Sequence, residues 1–254
     1  MTVPRIVARL DVKGPNLVKG IHLEGLRVMG DPHVFARRYY EEGVDEILYV
    51  DIVASLYGRN NILDVVRRTA EDVFVPLTVE GGLRSVDDVR DALRSGADKV
   101  AINTAAVARP ALVHEVAEAF GSQCMVLSIQ TKQVGADRWE AYTDNGRERT
   151  GLDALEWARR GEELGAGELL VTSVDRDGTR KGIDLPFLRR VTAAVGIPVI
   201  AGGGVGVPAH VREALVDGGA DAVAVASVLH YGLHGVGAIK SALDESGVPV
   251  RSSA

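Results

Sequence analysis

The stretch Ile197-Pro-Val-Ile-Ala-Gly-Gly-Gly204 decides the fold. It is a short apolar run of strand character that ends in three glycines. Backbone without Cβ atoms lets a ligand approach the N–H groups closely, which suits a phosphate. The chain carries the pattern a second time as Val75-Pro-Leu-Thr-Val-Glu-Gly-Gly82, and aligning Pro76 with Pro198 sets a shift of 122 residues. Each copy leads through a helix-like segment to Gly96-Ala-Asp98 or Gly219-Ala-Asp221, where the shift is 123. Each then enters another strand, Lys99-Val-Ala-Ile-Asn-Thr104 or Ala222-Val-Ala-Val-Ala-Ser227. Such self-similarity is an internal repeat, and it divides the chain into halves of roughly 1–122 and 123–254.

Working outward, strands are predicted at Ile6–Val12, Asp45–Asp51, Val75–Val79, Lys99–Asn103, Cys124–Ile129, Glu168–Ser173, the Gly204 run and the run ending at Ser227. Helix signals lie between them. Asp31-Pro32 gives an N-cap followed by proline at the first helical position. Ser85 with Asp88 gives a capping start, with Asp where Glu or Gln is usual. Further helices are predicted at Ile62–Glu71, after Pro110, and at Leu152–Leu164, Pro186–Val195, His210–Val216 and Ile239–Glu245. The stretch from Gly14 to Gly30, broken by Pro15 and Gly20, reads as a loop, as does Tyr57-Gly58-Arg59-Asn60. Trp139–Tyr142 reads as a short β excursion. Apolar strands alternating with helices call for a parallel sheet buried on both faces. Eight such units with a twofold repeat favour closure into a single α/β domain, a (β/α)8 TIM barrel of two fused, similar half-barrels, over an open doubly wound sheet.

A chain of 254 residues with 25% charged residues and a net charge of −6 argues against a general nucleic-acid surface. One cysteine, Cys124, cannot form an internal disulfide, and a core position is expected for it. No apolar run reaches the roughly 18 residues of a membrane span, and the N-terminus leaves no room for a leader peptide. A cytoplasmic protein is expected. No His/Cys/Asp spacing marks a metal site, and no cofactor is implied.

In such barrels function gathers at the C-terminal ends of the strands. Asp11 and Lys13, Asp51, Glu80, Asn103-Thr104, Gln130, Ser173, Asp175, Asp177 and Ala226-Ser227 fall there. The repeat puts the two glycine runs on opposite sides of the mouth, each joined by a small hydroxyl residue from the next strand. A ligand with a phosphate at each end would bridge them. Glycines serving only as tight turns would be the plain alternative. His22 and His230 read as surface polar residues.

Leu10-Asp-Val-Lys13, Val18-Lys-Gly20, Ala101-Ile-Asn-Thr-Ala105, Thr172-Ser-Val-Asp-Arg-Asp-Gly-Thr179 and the glycine repeat resemble the cyclase subunit of imidazole glycerol phosphate synthase, over nearly the whole chain. The resemblance implies a lyase of histidine biosynthesis that works with a glutaminase. Ammonia from that partner reacts with a ribulosyl aminoimidazole carboxamide ribotide bearing two phosphates, giving imidazole glycerol phosphate and an aminoimidazole carboxamide ribotide. By position it implies that Gly82, Asn103 and Thr104 hold one phosphate. Asp177, Gly178, Gly204, Ala226 and Ser227 would hold the other. Lys19 would lie on a mobile loop closing over the substrate, and Asp11 would be one of two catalytic carboxylates. It also implies an ammonia channel entered at the N-terminal face, where the glutaminase docks, through a charged ring matched by Arg5, Glu46, Lys99 and Glu168. A paired plug is the plain reading of the ring, since buried charges persist when paired.

Three positions depart from that pattern. The family's second catalytic carboxylate is Gln130 here, and glutamine carries no acid–base proton. The family's Cys before Leu-Asp-Val is Arg9, and the first glycine of its third-strand run is Glu80. Alternation puts Arg9, Asp11 and Glu80 on the barrel interior. An Arg9–Glu80 ion pair stiffening the upper barrel is expected. The competing reading gives Glu80 the lost acid role. The departures also leave room for a diverged paralogue that delivers ammonia to another phosphorylated sugar or nucleotide, or for a non-catalytic subunit that activates a glutaminase.

Overall fold

The computed structural model describes residues 3–54 and 62–251, so the Tyr57–Asn60 loop lies outside the described residues. Eight parallel strands close on themselves: β1 (Arg5–Lys13), β4 (Glu46–Asp51), β5 (Leu77–Glu80), β6 (Lys99–Ile102), β7 (Met125–Gly135), β10 (Glu168–Ser173), β11 (Val199–Gly202) and β12 (Ala222–Val225). Each hydrogen-bonds its neighbour, and pairing of β10 with β7 completes the ring. The (β/α)8 barrel expected from the apolar strand runs is therefore what the chain forms.

The outer ring holds α1 (Pro32–Glu41), α2 (Leu63–Ala70), α3 (Val86–Arg94), α4 (Thr104–Ala108), α5 (Ala111–Phe120), α6 (Ala154–Glu163), α7 (Leu185–Ala194), α8 (Pro208–Arg212), α9 (Ser227–His230) and α10 (Val236–Glu245). Asp31 caps α1 by accepting from the His33 and Val34 amides, with Pro32 at the first helical position. Ser85 caps α3 by accepting from the Asp88 amide, and the Asp88 carboxylate accepts from the Arg84 amide and the Ser85 hydroxyl. Fully buried side chains such as Phe187 and Leu188 of α7 seal this layer, each contributing about 1.5–3 kcal/mol. Of the region expected as helix from His210 to Val216, α8 holds the first turn and a π turn, Glu213–Asp217, the rest.

One segment corrects the sequence reading and another extends it. Residues expected as a loop before Gly30 form a hairpin, β2 (Asn16–Ile21) and β3 (Glu24–Gly30), with β2 antiparallel to β1. The short excursion near Trp139 is a second hairpin, β8 (Arg138–Thr143) and β9 (Glu148–Asp153), continuing from a lengthened β7. Cys124 is buried as expected but sits in a 3-10 turn, Ser122–Cys124, just ahead of β7.

Alternation sorts the barrel strands. Val7, Leu48, Val50, Ala101, Val126, Leu170, Ile200, Ala222 and Ala224 form one buried cluster, separate from the larger cluster shared with the helices. That smaller cluster is the barrel interior, and side chains two residues away share its direction. Arg5, Arg9 and Asp11 therefore face inward from β1, as do Thr78 and Glu80 from β5, Ser128 and Gln130 from β7, and Glu168 and Thr172 from β10.

Candidate active site

At the N-terminal end of the barrel Arg5 and Lys99 meet Glu46 and Glu168. Arg5 bonds Glu46 at 2.6 Å and also pairs with Glu168, while Lys99 stands 2.7 Å from Glu46 and 2.8 Å from Glu168. The four charges close into a complete cycle. Glu46, only 1% exposed, also accepts the Thr78 hydroxyl at 2.6 Å. Every member of the ring has its counter-charge, as buried ions require.

Above an apolar tier lies a polar one. Arg9 Nε donates to Asp11 at 2.8 Å, and Nη1 reaches across the barrel to the Thr172 hydroxyl at 3.1 Å. Lys19, on β2, donates to Asp11 at 3.1 Å and to Asp177 at 2.9 Å. Glu80 accepts the Ser128 hydroxyl at 2.7 Å. The expected Arg9–Glu80 ion pair is thus replaced by an Arg9–Asp11 pair. Two positions apart on one strand, Arg9 and Asp11 share a face, and the guanidinium turns up to its own neighbour. Burial alone would raise the Asp11 carboxyl, but the Arg9 guanidinium and the Lys19 ammonium hold it well below the usual carboxylate range. Burial raises Glu80, and the field of Arg9 only partly opposes it. Gln130 is buried, and its Oε1 has no partner.

The mouth has two unlike sides. On one, a cavity of about 270 Å3 is lined by Glu80, Gly81, Gly82, Asn103, Thr104 and Gln130, among others. The Asn103 side-chain amide donates to the Tyr142 carbonyl and the Thr104 hydroxyl accepts from the Asp144 amide, so the β8–β9 hairpin holds this cradle. On the other side Asp177, Gly204 and Ser227 are buried. Gly178 has φ +71°, and a Cβ there would stand 2.4 Å from the Gly20 carbonyl. The β2–β3 hairpin lies directly over it, fastened by the Lys19–Asp177 pair and by the His22 amide donating to the Asp177 carbonyl at 2.9 Å. Backbone geometry nevertheless matches across the mouth. Asn103 has φ −115° and ψ −84°, and Ala226 has φ −130° and ψ −78°. Gly81 and Gly82 share positive φ with Gly203 and Gly204.

His230, expected at the surface, is instead buried, stacked on Tyr39 and bonded through Nδ1 to its hydroxyl at 2.7 Å. Burial lowers its pKa from 6.5 to about 4. An unfolded chain binds that proton more readily, so the stability His230 contributes is present above pH 6.5 and lost as pH falls toward 4. Urea midpoints measured over that window should fall for the wild type and fall less for His230→Gln. Equal slopes would remove His230 as the cause.

Sequence reading missed Thr172, Ser128 and the Tyr142–Asp144 turn. The first two were within reach, since Ser128 lies two residues from Gln130 and Thr172 four residues from Glu168, interior positions already singled out.

The geometry defines a closed parallel barrel with a polar interior and a glycine-rich mouth. Residues 5–234 match the family model described as histidine biosynthesis protein. Two similar proteins are both called imidazole glycerol phosphate synthase subunit HisF. The one from Legionella pneumophila is 60% identical over 206 residues, covering 81% of this chain and 97% of its own. The one from Myxococcus xanthus (strain DK1622) is 56% identical over 252 residues, 99% of each chain. The chain belongs to the histidine biosynthesis protein family. Among the described residues no helix is long and apolar enough to cross a membrane.

Proposed function

We propose that this chain is the ammonia-using cyclase subunit of an imidazole glycerol phosphate synthase, acting on the ribulosyl aminoimidazole carboxamide ribotide with its two phosphates. Identity of 56% across 99% of a protein of that name carries the reading. Gly82, Asn103 and Thr104 hold one phosphate in the open cavity. Asp177, Gly178, Gly204, Ala226 and Ser227 take the other once the β2–β3 hairpin lifts and Lys19 releases Asp177. Matching backbone at Asn103 and Ala226 supports two like cradles, and with them a single barrel domain made of two half-barrels. Asp11 stays ionised and steadies positive charge that develops on the substrate.

A glutaminase docks at the N-terminal face and passes ammonia into the barrel through the Arg5, Glu46, Lys99 and Glu168 ring. The closed cycle of pairs makes that entrance a gate that must part to conduct. The test supplies ammonium salt in place of the partner and measures turnover of the ribotide by the wild-type chain. Turnover at a rate typical of such enzymes is expected, and binding without turnover would overturn the reading.

A further inference from the structure

We propose that Glu80 is the proton-carrying catalytic residue of this mouth, doing from strand β5 what a carboxyl at position 130 would do from β7. The inference rests on the cyclase reading and deepens it.

Position comes first. Glu80 and Gln130 line the same cavity of about 270 Å3 beside Gly81, Gly82 and Asn103, so a ligand seated there meets both side chains. Gln130 has no proton to exchange as an acid or base. Asp11 is committed elsewhere, since its two oxygens accept from Arg9 and Lys19. A carboxylate clamped by two cations makes a fixed counter-charge and a poor proton carrier.

The charge balance points the same way. Along the interior, Arg5, Arg9, Lys19 and Lys99 are matched by Asp11, Glu46, Glu168 and Asp177 through the pairs already described. Glu80 is one acid more than these cations satisfy. Among the described residues, no cation stands within ion-pair distance of it, and its close contact is the neutral Ser128 hydroxyl at 2.7 Å. Buried at 5% exposure without a counter-ion, it holds its proton to higher pH than an exposed carboxyl does. The groups around it are Arg9 and Asp11 from β1, Asp51 from β4, Asn103 from β6, Ser128 and Gln130 from β7, and Arg84 at the cavity rim. Asp51 is the rival carboxyl, but its Oδ1 accepts the Val53 amide in the turn after β4.

A balanced step follows. Ammonia adds to the ketose carbonyl to give a carbinolamine. The Glu80 carboxylic acid gives its proton to the carbinolamine hydroxyl, which leaves as water while the nitrogen lone pair forms C=N. The iminium then returns a proton from nitrogen to the Glu80 carboxylate. Net, NH3 and C=O become C=NH and water, and Glu80 is restored.

The test measures ammonium-driven turnover of the ribotide from pH 6 to 9, corrected for free ammonia, with ribotide binding followed by calorimetry. Glu80→Gln should lose at least about 100-fold in kcat. Its KM should stay within about threefold, and the fall in rate at high pH should vanish. Glu80→Asp should recover at least tenfold. Ser128→Ala keeps the carboxyl but removes the bond that favours its ionised form, so it should move the high-pH fall upward. It covers the case in which Glu80→Gln fails to fold. Glu80→Gln turning over within threefold of wild type would overturn the inference and leave the cyclase reading standing. A high-pH fall that moves with Asp51→Asn and not with Ser128→Ala would overturn it too. Wild type that binds ribotide without turnover would sink both.

Discussion

An Asp11→Asn protein is expected to lose about 100- to 1000-fold in turnover, through lost charge stabilisation, and roughly 3–5 kcal/mol of stability. Asp11 is the shared counter-ion of Arg9 and Lys19, at 2.8 and 3.1 Å. Asparagine keeps the size and gives up the charge. Lys19 keeps Asp177, but among the described residues the Arg9 guanidinium retains only the Thr172 hydroxyl as a hydrogen-bond partner while remaining buried. Breaking one side of a buried pair costs more than the pair itself is worth, because the remaining charge stays out of water. Adding Arg9→Met to Asp11→Asn should therefore recover a large part of the lost stability, while turnover stays low. Urea unfolding of the two variants separates these effects. If the double variant were no more stable than Asp11→Asn, the stranded guanidinium would not be the cause. The deficit also has a pH signature. A depressed carboxyl contributes stability above the ordinary carboxylate range and loses it as pH falls below about 4. The gap between wild type and Asp11→Asn should be full at pH 7 and shrink by pH 3.

Glu46→Gln should have the second-largest effect, and on two different readouts. Glu46 answers both cations of the ring and the Thr78 hydroxyl. Without its charge, Arg5 and Lys99 share Glu168 alone. Both cations are partly solvated, at 16% and 14% side-chain exposure, so water offsets some of the loss and about 2–3 kcal/mol is expected. With the glutaminase present, glutamine-driven turnover should fall much further than ammonium-driven turnover, because ammonium need not cross the ring. Equal falls in both assays would show that the ring serves stability alone.

The barrel was legible because its eight buried strands are nearly continuous apolar runs, and because glycine runs end the third and seventh of them. The ring residues Arg5, Glu46, Lys99 and Glu168 were legible as a set through the family resemblance, and four charges at the starts of apolar strands fitted it. Partner choice was not. Alternation places Arg9, Asp11 and Glu80 inside, but which carboxylate a guanidinium reaches depends on its height along the axis and the turn of a long side chain. The β2–β3 hairpin escaped for another reason. Its glycines and its exposed residues, such as Ile21 and Val28, carry little periodicity. What holds it is a contact across 158 residues, Lys19 to Asp177. His230 escaped in the same way, since its hydroxyl partner Tyr39 lies 191 residues off.

The two sides of the mouth also set an order of events. The cradle at Gly82 and Thr104 is open to solvent, whereas the one at Gly178 and Ser227 lies under the hairpin. A ligand long enough to reach both arrives first at the open side, in an encounter whose rate grows with ligand concentration. On the proposed two-cradle reading, its far end then waits for the Lys19 ion pair to part, a unimolecular event that concentration cannot hasten. At high ligand concentration the observed association rate therefore levels off at the opening rate of that one strap.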